Sequence, residues 1–263
     1  DGACKDSSDG CRRMSDWLIP AGSRRRALAH RINSSVPGLA PRVSQLKVRR
    51  GHGDIHDHLA TWSADHPVAT IVQIGSHNGQ TGEPLVQLID RHPSWNVVFV
   101  EPMPNHFAAL TTCRGGQDRF TLVQAAVTDH DGEAVMTTVD TNDAMPAWAD
   151  QLTSLHREIV LRHSCSVPGL EDALREETVP AMTFATLMNS AGVQSIDLLH
   201  IDAEGHDAAI LDQVDLDRTS PEVILFEHKH LSTADRQRTE ERLEEAGYGL
   251  RADQCDTLAI RPA

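Results

Sequence analysis

The chain has 263 residues, 40% hydrophobic and 24% charged, enough for one large α/β domain with a filled core. A formal net charge of −14 opposes a phosphate backbone, so nucleic acid is not an expected partner, and no apolar run approaches bilayer length. Five cysteines without short paired spacing give neither a zinc motif nor an even disulfide framework, so reduced thiols and a cytoplasmic protein are expected.

The first twenty residues, "DGACKDSSDGCRRMSDWLIP", lack the apolar centre of a secretion signal. The basic cluster "GSRRRALAHR" reads as a solvated helix face. Residues 1–67 are expected to form a helical N-terminal extension, in which "HDHLATWSADHP" is a helix stopped by Pro67. From Val68 the pattern changes to short β-branched runs alternating with amphipathic segments. The strands are "ATIVQIG", "NVVFVEP", "FTLVQAAV", "IDLLHID" and "EVILFEH". The helices between and after them are "GEPLVQLIDRHP", "PNHFAALTTC", "TFATLMNSAG", a segment from about His206, and "TADRQRTEERLEEAG". This alternation predicts a mostly parallel sheet with helices on both faces, a single doubly wound domain over 68–263. "YGLRAD" and "DTLAIRP" are spaced for a terminal antiparallel hairpin. An insertion at about 140–178 interrupts the alternation. We expect it to be a lid on the ligand side of the sheet, with "SLHREIVLRH" as a helix.

In such sheets ligands bind beyond the carboxyl ends of the strands, where the strand order reverses. Three strand ends carry polar groups. At "VQIGSHNGQTG", Gly75 and Gly79 allow a tight turn and close backbone approach. His77 takes the place where the dinucleotide fingerprint needs its second glycine, and no Walker-type loop is present. Glu101 ends the second strand and is placed to accept hydrogen bonds from both hydroxyls of a ribose. A glycine turn unsuited to pyrophosphate, combined with that acid, points to a nucleoside cofactor without phosphates. S-adenosylmethionine fits this description. The third end is "HIDAEGHD", with Asp202, Glu204, His206 and Asp207 directly after an apolar strand.

"VQIGSHNGQTG", "VEPMPNHFAAL", "QAAVTDHDGEA", "TFATLM" and "IDLLHIDAEGHDAAIL" resemble, in order, the pattern of FkbM-type S-adenosylmethionine-dependent methyltransferases. "PEVILFEHKHLS" and "CDTLAI" are similar to one branch of that family. The resemblance spans Val68 to Ile260 and implies a Rossmann-like class I methyltransferase sheet of seven strands. It also implies O-methylation of a small hydroxylated molecule, a glycoside or natural-product intermediate. By position, Gln73, Gly75, Ser76, Asn78, Gly79, Glu101, Pro102 and Asp202 would contact the cofactor, and Gln124, Ala125 and Ala126 would edge its adenine. Gln73 stands where many relatives have Asp, and His200 where many have Lys.

An alcohol must lose its proton as it attacks the methyl carbon, which requires a general base or a metal that stabilises the alkoxide. His206 and His228 are the expected bases, with Asp202 and Glu204 beside them. Trp148, His156, Glu227 and His230 are expected to border the acceptor. Asp202 and Glu227 end adjacent strands and form an alternative Mg²⁺ site. An N- or carboxyl-methyltransferase, or a noncatalytic nucleoside-binding module, is the rival reading. The pattern neither requires nor excludes a homo-oligomer, and no membrane partner is expected.

Overall fold

The structure, a computed structural model, describes residues 55–80 and 85–262. Most of the expected N-terminal extension, including the basic cluster, lies outside the described residues. In chain order the strands are β1 (Thr70–Ile74), β2 (Asn96–Val100), β3 (Phe120–Val123), β4 (Ala126–Val127) and β5 (Gly132–Val139). They continue with β6 (Leu174–Met182), β7 (Leu198–Ile201), β8 (Val223–Glu227), β9 (Gly249–Ala252) and β10 (Asp256–Ile260). The α-helices are α1 (Ile55–Asp65), α2 (Val86–Arg91), α3 (Pro104–Arg114), α4 (Arg157–Leu161), α5 (Phe184–Ser190), α6 (Asp207–Gln213) and α7 (Thr233–Glu245).

Seven strands form one sheet in the order β3-β2-β1-β7-β8-β10-β9. All neighbours run parallel except β10, which is antiparallel to both β8 and β9. This is the expected Rossmann-like sheet with its closing hairpin. The chain moves outward from β1 through β2 to β3, then returns to β7 on the other side of β1. The order therefore reverses between β1 and β7, and a crevice opens there at the carboxyl edge.

Alternate residues of each strand enter opposite layers. One layer joins Val72, Ile74, Val98, Val100, Leu199 and Ile201 to Phe184 and Leu187 of α5, Ile210 of α6 and Leu243 of α7. The other joins Ile71, Val97, Phe99, Leu198 and Leu225 to Ile55 and Leu59 of α1, Ile89 of α2 and Leu110 of α3. Helix α1 thus packs on the main sheet, and its end just before Pro67 agrees with the stop read from the sequence.

Three expectations need correction. "FTLVQAAV" is two strands, because β3 pairs with β2 while β4 leaves to pair with β6 in a second sheet of order β4-β6-β5. Within the insertion only Arg157–Leu161 is α-helical, and Leu174–Glu177 belongs to strand β6, held by its long antiparallel ladder to β5. Residues 140–173 instead enclose a small core of Val139, Met145, Ala149, Leu152, Val160, Val167 and Leu170. Finally, Cys165 and Cys255 are each disulfide-bonded, and Cys113 is free. Disulfides persist in oxidising compartments, so the cysteines no longer argue for the cytoplasm. No helix among the described residues is long and apolar enough to cross a membrane.

Gln73 and His200 are register partners on β1 and β7, and both are buried. The Gln73 amide N and O have no hydrogen-bond partner. Burial lowers the His200 imidazole to about 4. A base depressed in the folded state contributes stability above the unfolded value of about 6.5, and that stability is lost as pH falls towards 4. Urea denaturation at pH 7 and pH 4.5 should therefore show a loss that His200→Gln reduces by about 2–3 kcal/mol. Equal losses in the two proteins would mean that His200 titrates normally.

Candidate active site

Parallel register brings the polar strand ends level. Ile74 pairs with Val100 on one side and Ile201 on the other, and Ile201 pairs with Phe226. Gly75, Glu101, Asp202 and Glu227 therefore leave the sheet along one edge. The turn after β1 is drawn onto β2, since Gly75 and Ser76 both donate their N–H to Val100 O, at 2.9 and 3.0 Å. Gly75 has φ +83°, and a Cβ there would stand 1.8 Å from the Asp202 carbonyl oxygen. No side chain fits between these two strand ends. Gly79 closes the turn, and its carbonyl accepts from Arg114 Nε and Nη2 of α3 at 2.9 and 2.7 Å.

Above this edge lies a cleft lined by Gly75, His77, Glu101, Pro102, His106, Ala125, Ala126, Met136, Asp202, Glu204 and His206. The insertion supplies its remaining wall through Gln151, Thr153 and Leu155. The cavity measures about 140 Å³, below the roughly 300–1,000 Å³ usual for ligand pockets. A wider depression along Asp140, Gly169 and Arg175 lies on the insertion, away from the strand ends.

Glu101 is buried, and its carboxylate organises two backbones. Oε2 accepts the His77 N–H at 2.8 Å and Oε1 accepts the Met103 N–H at 2.9 Å. Each oxygen keeps a second lone pair for a ligand. Among the described residues lining the cleft there are three carboxylates, Glu101, Asp202 and Glu204, and neither Lys nor Arg. Such a wall rejects phosphate and favours an uncharged nucleoside with a cationic centre. The donor set therefore fits S-adenosylmethionine, whose sulfonium and ammonium are both positive.

The "HIDAEGHD" turn separates into distinct roles. Asp207 is completely buried, and its carboxyl accepts N–H groups of Ala203, Gly205 and Glu227 at 3.5, 3.3 and 3.2 Å. Burial pushes it up to about 8 even so. It shapes the turn and is not exposed to a ligand. Glu204 adopts φ +46°, as does His77, and the only other non-glycine residue with positive φ among the described residues is Ser220. Two of these three sparsely populated conformations thus sit in the cleft wall, as is common where structure serves a site.

His206 lines the cleft, and its Nδ1 lies 3.2 Å from Nε2 of His156 on the insertion. Its own Nε2 is buried and unpartnered. Burial first, and then the neighbouring His156, hold His206 below the ordinary imidazole value. It is therefore neutral near pH 7. Ser154 Oγ donates to Glu204 O at 2.7 Å, so the insertion grips this turn at two points.

Several expected site residues lie elsewhere. His228 is buried outside the cleft lining, with Nδ1 2.9 Å from Thr257 Oγ1, and burial lowers it to about 4. Trp148 packs against the insertion's own core and edge-on to His163. Ser76 is fully buried, donating to Gln73 O and accepting from Val100 N. Gln73, Asn78 and Gln124 are not among the lining residues, although Ala125 and Ala126 are. The Glu227 carboxylate lies 3.8 Å from His230 Nε2, which is 3.2 Å from Glu204. Sequence reasoning missed His77, His106, Gln151, Thr153 and Leu155 as lining residues. His106 had a readable signal, because it opens the helix directly after Glu101.

The sheet order and the cleft at its switch point define a Rossmann-like nucleoside-cofactor enzyme. The FkbM methyltransferase domain matches residues 73–250, and the chain belongs to that family of S-adenosylmethionine-dependent methyltransferases. No curated protein matches it. Among solved structures it is similar to a precorrin-6y C5,15-methyltransferase from Geobacter metallireducens, with 13% identity, TM-score 0.41, and coverage of 79% of this chain and 88% of the other. A methyltransferase from Geobacter sulfurreducens matches at 12% identity and TM-score 0.42 over 81% of each chain. Aeropyrum pernix fibrillarin, with natively bound S-adenosyl-L-methionine, matches at 12% identity and TM-score 0.39, over 73% of this chain and 66% of its own. The family assignment rests on the domain match.

The Gly75 geometry carries a stability prediction. Gly75→Ala forces a Cβ into a neighbouring backbone at a φ that L residues resist, so it should cost about 3 kcal/mol or more in urea denaturation. A variant within about 1 kcal/mol of wild type would show that the two strand ends are not packed this tightly.

Proposed function

We propose that the protein transfers a methyl group from S-adenosylmethionine to a hydroxyl of a small molecule, such as a glycoside or natural-product intermediate. The observation that carries this reading is the free Nε2 of His206, buried in the cleft wall while Nδ1 is held by His156. When bound, the cofactor supplies an electrophilic methyl group. The chain's own residues must orient the acceptor, exclude water and take its proton.

With its proton on Nδ1, His206 donates to His156 Nε2 and keeps a lone pair on Nε2. His156 Nδ1 lies 4.0 Å from Glu158 Oε1, an exposed contact that contributes little. In this tautomer His206 is able to act as a general base. Glu101 is the acceptor for the ribose hydroxyls, and Ala125 and Ala126 offer a flat apolar edge for the adenine. Asp202 and Glu204 face the cationic portion. A base of this kind makes Mg²⁺ unnecessary for deprotonation. The small cavity requires the Gln151–Leu155 wall to move outward as the cofactor binds, which gives the insertion the role of a lid.

His206→Ala should lower turnover by about 10²–10⁴-fold while calorimetry still registers S-adenosylhomocysteine binding. Full activity in this variant would remove the histidine base and favour a carboxylate acceptor, which needs none. Glu101→Ala, verified as folded by circular dichroism, should weaken S-adenosylhomocysteine by about 100-fold or more, since two hydrogen bonds to a charged acceptor contribute about 1.5–3 kcal/mol each. Unchanged affinity would place the ribose elsewhere.

A further inference from the structure

A second group of side chains at the cleft has no part in this chemistry. His77 lies in the turn after β1, His106 in the first turn of α3, and Asp150 in the 3-10 turn Ala147–Gln151 of the insertion. One donor atom from each lies within 4.8 Å of the others. Both ring nitrogens of His77, Nε2 of His106 and Oδ1 of Asp150 are buried and lack hydrogen-bond partners. The Asn78 side chain approaches His77 without a well-directed hydrogen bond. Leaving four such atoms unpaired is costly, on the order of 1–3 kcal/mol for each. The imidazoles stand 4.0 Å apart between centroids.

We propose that His77, His106 and Asp150 bind one divalent transition-metal ion of the zinc or cobalt class. Two imidazole nitrogens and one carboxylate oxygen suit such ions, whereas Mg²⁺ and Ca²⁺ prefer oxygen alone. Three protein donors leave a fourth position for water or a ligand. Metal–donor lengths of about 2.0–2.2 Å need a contraction of about an ångström among the three groups. The His106 side chain is only 10% exposed, with Nδ1 3.7 Å from Glu101 Oε1, beyond hydrogen-bond length, and Nε2 as its unpartnered nitrogen.

The other mixed cluster, Glu204, Glu227 and His230, is a weaker candidate because His230 already contacts both carboxylates. The two sites separate experimentally. The full chain, stripped with chelator and free of cofactor and acceptor, should bind one equivalent of Zn²⁺ by calorimetry. It should also develop visible absorption on addition of Co²⁺. His106→Ala and Asp150→Asn should each weaken Zn²⁺ at least tenfold. His77→Asn, which tolerates the positive φ, should do the same. Glu227→Gln should leave the affinity within twofold. Absence of Zn²⁺ binding by the wild-type protein would overturn the proposal. So would loss of binding in Glu227→Gln with retention in Asp150→Asn. Should His106→Ala fail to fold, the half-buried Asp150→Asn variant decides. None of these readouts involves methyl transfer, so failure of the proposed activity and failure of the metal site are distinct results.

Discussion

The close approach of Gly75 to the Asp202 carbonyl is the constraint on which the rest of the site depends. A Cβ at Gly75 would stand 1.8 Å from that oxygen, so the first and fourth strands of the parallel core end in direct backbone contact. Their neighbours turn away in opposite directions, and the crevice forms where no connection crosses it. Every other group is referred to this contact. The Gly75 and Ser76 N–H groups fix the turn on β2, which sets Glu101 beside His77, and Asp207 ties the turn beyond Asp202 to β8. A looser junction would let the Glu101 and Asp202 sides of the cleft drift independently, and misplacement by an ångström is enough to lose much of the advantage of positioning.

The electrostatics of the cleft follow from which residues are missing as much as from those present. Three carboxylates and three neutral-capable imidazoles line it, without a basic side chain among the described lining residues. In a chain of net charge −14, a phosphate-bearing cofactor would meet repulsion both at long range and at contact. A sulfonium meets attraction instead. Burial and the neighbouring His156 lower His206, while Asp129, outside the lining, opposes that shift.

Much of this was legible in the sequence because it is local. The β-branched runs ending in Gly75, Glu101 and Asp202 gave strands, order and edge, and parallel register then set the three ends level. The closing hairpin was equally visible, since β9 and β10 are neighbours in sequence. What was not legible depends on separation. His156 meets His206 across fifty positions, and no spacing rule links an insertion to a strand end. "FTLVQAAV" has strand character throughout, yet its last residues pair with β6, and only tertiary pairing reveals the break. His228 sits at a strand end like a catalytic base, but the antiparallel partner β10 covers it and Thr257 takes its Nδ1. Asp207, next to His206, is likewise taken up by backbone donors, the N–H groups of Ala203, Gly205 and Glu227.

The insertion therefore brings polar groups to the cleft as well as a wall. In both polar groupings at the cleft the main domain supplies some donors and the insertion completes the set: His206 with His156, and His77 and His106 with Asp150. Its own small apolar core gives it enough internal cohesion to carry these groups together, while Ser154 fixes it to the Glu204 carbonyl. Ser154 lies within the Gln151–Leu155 wall and His156 directly follows it, so a movement of this wall is transmitted to both the Glu204 turn and His206.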